Sequence, residues 1–196
     1  MSPISILVEG TLDEAVAETI ITAAGGTPGT VFPKRGINYI EKKISGFNEL
    51  AQGMPILSLV DFMDTDADCP PELVQKWLPH RNEKMVLRVA VREIESWILA
   101  DRASISQFLR IRKSQIHHHP EQISDPKAAL IDLARSSPNE SLKNALVPDD
   151  PTVNSEGPAY TNRMEQFVST QWSLNNARQN APSLGRCVRA VTDLLE

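Results

Sequence analysis

Four aspartates, Asp61, Asp64, Asp66 and Asp68, fall within eight positions, directly after the apolar run Ile56-Leu57-Ser58-Leu59-Val60. Like charges at that spacing repel one another unless a cation or a basic group sits among them, or unless water solvates each one. Oxygen donors are what a divalent cation such as Mg²⁺ takes. Two readings of the stretch therefore stand: a metal-binding carboxylate cluster, and a solvated acidic turn that ends a strand. A second acid, Glu9, follows the apolar run Ile4-Ser5-Ile6-Leu7-Val8, and Asp13 comes four residues later. Glu93 and Glu95 follow a third apolar run, Met85–Val91. Carboxylates that converge from several strand ends could hold one or two Mg²⁺ or Mn²⁺ ions. Such ions activate a water and stabilise the leaving oxygen of a phosphodiester.

The elements that must position these acids can be read from periodicity. Residues 4–8 make a buried strand. A helix runs from Thr11 to about Ala24, with Thr11 as its cap and Glu14 completing a capping box; Gly25-Gly26 ends it. A short strand at 29–32 and an amphipathic helix at 37–51 follow. Then come the aspartate strand at 55–61, a short helix at 71–78, a strand at 85–91 and a helix at 92–101. Strands alternating with helices argue for a mainly parallel sheet between helices. In such a sheet, ligands bind at the C-terminal edge of the strands. Glu9 and Asp61 should both emerge there, with neighbouring strands about 4.8 Å apart. Asp13, one turn into its helix, could face the same edge or simply complement the helix dipole.

Beyond Asp101 the pattern is helical, at about 104–109, 126–134, 158–172 and 183–195. The Ser-, Pro-, Asn- and Asp-rich segment 136–157 reads as a long loop. The expected organisation is an α/β domain over 1–101, with a helical extension over 102–196 packed on it.

Composition narrows the function classes. The chain has 196 residues and a net charge of -5. Residues 1–100 carry nine basic and fourteen acidic side chains, whereas 101–196 carry eleven of each. That balance argues against a module that binds nucleic acid by charge alone, but not against a nuclease whose acidic site takes up metal first. No apolar run reaches membrane-spanning length. Met-Ser-Pro-Ile-Ser lacks the basic and long apolar regions of a signal peptide, so a cytoplasmic location is expected. Cys69 and Cys187 have no metal-ligand spacing and read as free thiols. Neither a Walker loop nor a Ser/His/Asp arrangement is present, so ATP hydrolysis by this chain alone is not expected.

The pattern Leu7-Val8-Glu9-Gly10-Thr11-Leu12-Asp13, followed by a strand ending in Asp61 and further aspartates, resembles the Toprim domain of topoisomerases, primases and OLD-type nucleases. A closer resemblance is to an uncharacterised Toprim-like family often encoded beside an AAA-type ATPase. It is carried by Glu9-Gly10, Asp13, the aspartate strand with Cys69-Pro70, Arg88-Val89-Ala90-Val91-Arg92-Glu93-Ile94-Glu95-Ser96-Trp97, Asp125-Pro126-Lys127 and Gly157-Pro158-Ala159-Tyr160. The resemblance implies a Toprim fold with Glu9 as metal ligand or general acid/base and the strand-end aspartates as Mg²⁺ ligands. It also implies a nuclease or phosphodiesterase acting on nucleic acid with an ATPase partner, in phage defence or DNA maintenance. One departure stands out. The family shows Asp-x-Asp at the end of this strand, and here the position two after Asp61 is Met63. Either Asp61 pairs with Asp64, or Asp64 pairs with Asp66. If neither pair assembles, the fold could serve as a non-catalytic interaction or regulatory subunit. A primase-like nucleotidyl transferase is a third reading.

Glu95 is a further catalytic candidate, with a structural ion pair to Arg92 as the competing role. His117-His118-His119 reads as a surface turn, since adjacent residues do not share a face. Lys34-Arg35-Gly36 could face a phosphate at a helix start or be a solvated turn. Arg110, Arg112 and Lys113 form the densest basic patch. Trp97, Trp172 and Tyr160 read as core.

Overall fold

The computed structural model of the protein describes residues 2–196. The described chain forms two compact units, one built from the residues up to Val91 together with Ser183–Glu196, the other from Arg92–Pro182. This division falls earlier than the boundary read from the sequence at residue 101, and the C-terminal helix belongs to the first unit.

The first unit is α/β. Strand β1 (Ile4–Leu7) leads into helix α1 (Thr11–Ala23), β2 (Pro28–Val31) into α2 (Ile37–Leu50), and β3 (Ile56–Asp61) into α3 (Pro70–Trp77) before β4 (Met85–Ala90). The four strands form one sheet in the order β2-β1-β3-β4, and every pairing is parallel. Parallel strands covered on both faces must be apolar on both faces. Ile4, Ile6 and Leu7 of β1 and Ile56, Leu57, Leu59 and Val60 of β3 are accordingly buried completely. Ile40 and Ile44 of α2 and Leu73 of α3 join Leu7, Val60 and Leu87 in one apolar cluster. The α/β class and the parallel sheet read from the sequence are thus what the chain adopts.

The first helix begins differently from the capping box expected at Thr11 and Glu14. Gly10 is the cap residue, and its backbone N–H donates to Asp13 Oδ2 at 3.1 Å. Asp13 is one residue closer to the cap than Glu14 and reaches back to it, while Glu14 turns outward and pairs with Lys34.

The second unit is helical: α4 (Ile94–Ala100), α5 (Arg102–Leu109), α6 (Pro126–Arg135), α7 (Glu140–Leu146), α8 (Tyr160–Thr170) and α9 (Leu174–Asn180). Among the described residues no strand follows Ala90. Every residue of α4 is buried, as expected of a helix at the centre of its unit rather than on its surface. Asp101, fully buried at the end of α4, accepts from Ser104 N in α5 at 3.3 Å, from Ser173 N at 2.8 Å and from Asn176 Nδ2 in α9 at 3.3 Å. One carboxylate therefore ties three helices.

Helices α7 and α9 lie where the sequence reading placed a loop and a connection. Each is one or two turns long and polar, which hides its period, but each carries a cap: Asn139 accepts from Leu142 N, and Ser173 from Asn176 N. Gly157 passes so close to the end of α7 that a Cβ there would lie 2.5 Å from the Ala145 carbonyl oxygen. Its N–H donates to Leu146 O at 3.0 Å. The last helix, α10 (Pro182–Asp193), returns to the first unit, where its follower Leu195 packs on Gly26. Among the described residues no helix is long and apolar enough to cross a membrane.

Candidate functional site

Adjacent parallel strands deliver their last residues to the same sheet edge. Because β1 pairs with β3 in the register Leu7 to Ser58, Glu9 and Asp61 emerge side by side. Glu9 Oε1 accepts a hydrogen bond from Asp61 N at 3.1 Å. The N-terminus of α2 closes the other side: Gly36 adopts a left-handed φ of 72°, which glycine alone takes at no steric cost, and the Ile37 N–H is directed at the Glu9 carboxylate. Asp13, buried in the first turn of α1, faces the same place.

Burial pushes the Glu9 carboxyl up to about 7. The hydrogen bonds from Asp61 and Ile37 pull it down, and the charges of Asp13 and Asp64 push it up again. A carboxyl in that range can give or take a proton at neutral pH. It is equally the group that gains most from a cation, because a positive charge among several acids relieves both their repulsion and the burial cost. The donors gathered here are carboxylate oxygens, the type that Mg²⁺ and Mn²⁺ take.

The structure brings Asp64 into this group by a specific device. Phe62–Asp64 form a single tight turn directly after β3, so Asp64 returns toward the strand end and its charge acts on Glu9. Asp66 and Asp68 lie exposed in the segment that follows. Met63, in the position where the resembled pattern has its second aspartate, is 40% exposed. Asp64 is exposed as well; what sets it apart from Asp66 is that its charge acts on Glu9.

Glu95 lies in the second unit, in the first turn of α4, and is 4% exposed. The expected pair with Arg92 does not form; Arg92 Nε donates to Ser124 O at 3.1 Å instead. Glu95 Oε1 accepts from Tyr160 Oη at 3.0 Å. Burial pushes the Glu95 carboxyl up to about 7, and the Glu93 charge adds to this. Lys127 opposes both, its ammonium paired with Glu156 and held 5.0 Å from the centre of the Tyr160 ring. The Lys127 backbone N–H donates to Glu93 Oε1 at 2.9 Å.

Three motifs distant in the chain thus meet in one network: Arg-Glu-Ile-Glu-Ser-Trp, Asp-Pro-Lys and Gly-Pro-Ala-Tyr. Sequence reasoning took Tyr160 as core, which its 1% exposure bears out, but missed its hydrogen bond and the parts of Lys127 and Glu156. The signal was present in the motifs Asp125-Pro126-Lys127 and Gly157-Pro158-Ala159-Tyr160, which place both residues at helix starts.

The remaining candidates resolve simply. His117, His118 and His119 are exposed in a turn, with His118 against Arg102. Lys34 pairs with Glu14, and Arg35 lies 5.6 Å from the centre of the Tyr39 ring. Trp97 and Trp172 are buried, and Cys187 is buried while Cys69 is exposed, both as free thiols. Compared with family models, curated proteins and solved structures, the chain matches none of them.

Proposed function

We infer that the chain is a divalent-metal-dependent phosphodiesterase of the Toprim type, acting on nucleic acid with an AAA-type ATPase as partner, in phage defence or DNA maintenance. The observation that carries this reading is the hydrogen bond between Glu9 Oε1 and Asp61 N at 3.1 Å, which joins two strand-end acids at one sheet edge. In this reading Asp61 and Asp64 hold the ion, Glu9 binds it or moves a proton at its carboxyl, and Asp13 fixes the start of α1 beside them. A bound Mg²⁺ or Mn²⁺ supplies an activated water and stabilises the leaving oxygen. The ATPase partner, the substrate and the biological role rest on the motif resemblance alone.

The test is cleavage of plasmid and single-stranded DNA by the purified chain in Mn²⁺ or Mg²⁺. Glu9→Gln keeps an acceptor for Asp61 N and removes a buried charge, so it should melt no lower than the wild type while losing at least a hundredfold in rate. Metal-dependent cleavage that survives in Glu9→Gln would move the chemistry elsewhere.

A second reading, a non-catalytic interaction subunit, is favoured by Met63 in place of the second aspartate. It predicts neither cleavage nor metal binding by calorimetry at millimolar Mg²⁺ or Mn²⁺.

A further inference from the structure

β4 is one of the two edge strands of the sheet. A pocket of about 600 Å³ opens along it within the first unit, walled by α3 on one side and α10 on the other. None of the site carboxylates lines it. Three guanidinium groups do: Arg88 from β4, and Arg186 and Arg189 from successive turns of α10. The only carboxylate in the lining is Asp193. The remaining lining is mostly apolar, with Pro70, Pro71 and Val74 from α3 and Leu87 and Val89 from β4 beside the polar Gln75 and Ser183. In a chain whose net charge is -5, a pocket with three arginines to one acid is a local reversal.

Arg88 shows the cost of that arrangement. It is half-buried on the strand, and its Nη1 donates to the Leu87 carbonyl at 3.2 Å. Its Nε is buried with no hydrogen-bond partner in the protein. A buried donor without a partner costs about 1–3 kcal/mol. Burial lowers its affinity for its proton, Cys187 and Asp193 oppose this, and the charges of Arg81 and Arg186 add to it. A phosphate oxygen would give the Nε a partner, and its charge would offset both the burial cost and the repulsion between the arginines. The guanidinium fork matches phosphate oxygens bidentately, and the same planar group stacks on flat rings. The volume falls within the range of small-molecule sites, about 300–1,000 Å³. It is larger than inorganic phosphate alone would need, and its apolar walls suit a ring.

We propose that this pocket binds a nucleoside phosphate, with the phosphate on Arg88, Arg186 and Arg189 and the base against Pro70, Pro71 and Val74. The site is separate from the carboxylate cluster and does not depend on the metal.

The experiment is calorimetry on the full chain in EDTA, titrating AMP, CMP, GMP and UMP, with adenosine and inorganic phosphate as partial ligands. At least one nucleotide should bind, and more tightly than either partial ligand. Arg186 and Arg189 are exposed, so the double variant Arg186→Ala/Arg189→Ala should fold, as checked by its melting curve, and should weaken binding at least tenfold. Glu9→Gln should bind as the wild type does.

The proposal is overturned if none of the four nucleotides binds at millimolar concentration. It is also overturned if the double variant binds undiminished, or if adenosine binds as well as AMP. Loss of binding in Glu9→Gln with the double variant unaffected would place the nucleotide at the carboxylates instead. A single-stranded oligonucleotide that binds through Arg186 and Arg189 where no nucleotide does would assign the pocket to a nucleic-acid backbone and reject the small-molecule reading.

Discussion

Glu95 and Glu9 are both carboxylic acids held close to neutrality by burial, and the difference between them lies in their partners. Glu9 meets backbone N–H groups and other acids, an environment that a cation would complete. Glu95 meets a phenol, a lysine and the Glu93 carboxylate. The Glu95 carboxyl, raised from 4.5 to about 7 in the fold, holds a proton that the unfolded chain has released at the same pH. The folded state therefore binds more protons in that window, and stability falls as pH rises from about 4.5 to about 7. Above it, Glu95 should cost roughly 3 kcal/mol relative to acid conditions. Glu95→Gln keeps the acceptor for Tyr160 and removes the titration. Urea denaturation at pH 5 and pH 8 should show a smaller pH dependence in the variant. An unchanged pH dependence would mean that Glu95 is charged in the fold at low cost.

At the scale of elements, the second unit depends on short helices that could not stand alone, since isolated helices of this length are marginal in water. They are held by caps and by buried hydrogen bonds. Asp101 is the clearest case, because it accepts from α5, from the residue before α9 and from α9 itself. Asp101→Ala would leave the Ser173 N–H without its acceptor and remove the cap of α5. The expected loss is about 2–4 kcal/mol in chemical denaturation, from one charged hydrogen bond and one lost cap. A loss below about 0.5 kcal/mol would show that water replaces the carboxylate freely. In the first unit the corresponding device is the tight turn at Phe62–Asp64. It places Asp64 where its charge acts on Glu9.

At the scale of the whole molecule, charge is distributed so that the α/β half carries the acidic excess while three arginines gather in one pocket of the same unit. If the edge cluster holds a divalent ion, binding must stabilise the fold. At a hundredfold excess over Kd the gain is about 2.7 kcal/mol. Mg²⁺ or Mn²⁺ should raise the melting temperature by several degrees, EDTA should reverse the shift, and Asp61→Asn should abolish it. Equal shifts in the wild type and Asp61→Asn would assign the stabilisation to diffuse surface binding. This measurement reads the ion directly, whether or not a substrate for cleavage is found.

The sequence by itself determined the parallel α/β framework, because unbroken apolar runs alternating with amphipathic segments have few other ways to bury both faces of their strands. The same logic placed Glu9 and Asp61 at one edge, since adjacent parallel strands end on the same side. Local signals also marked most helix starts, though at α1 the choice between Asp13 and Glu14 as the acid that reaches back depended on geometry within a single turn. Only the tertiary structure decided that Asp64 turns back toward Glu9, that Tyr160 crosses 65 residues of sequence to reach Glu95, and that α10 returns to the first unit to bring Arg186 and Arg189 beside Arg88. Periodicity and capping report what a segment does with its neighbours in the chain. They carry no information about which distant side chains share a buried volume, and burial is what raises the two carboxyls and leaves Arg88 Nε without a partner.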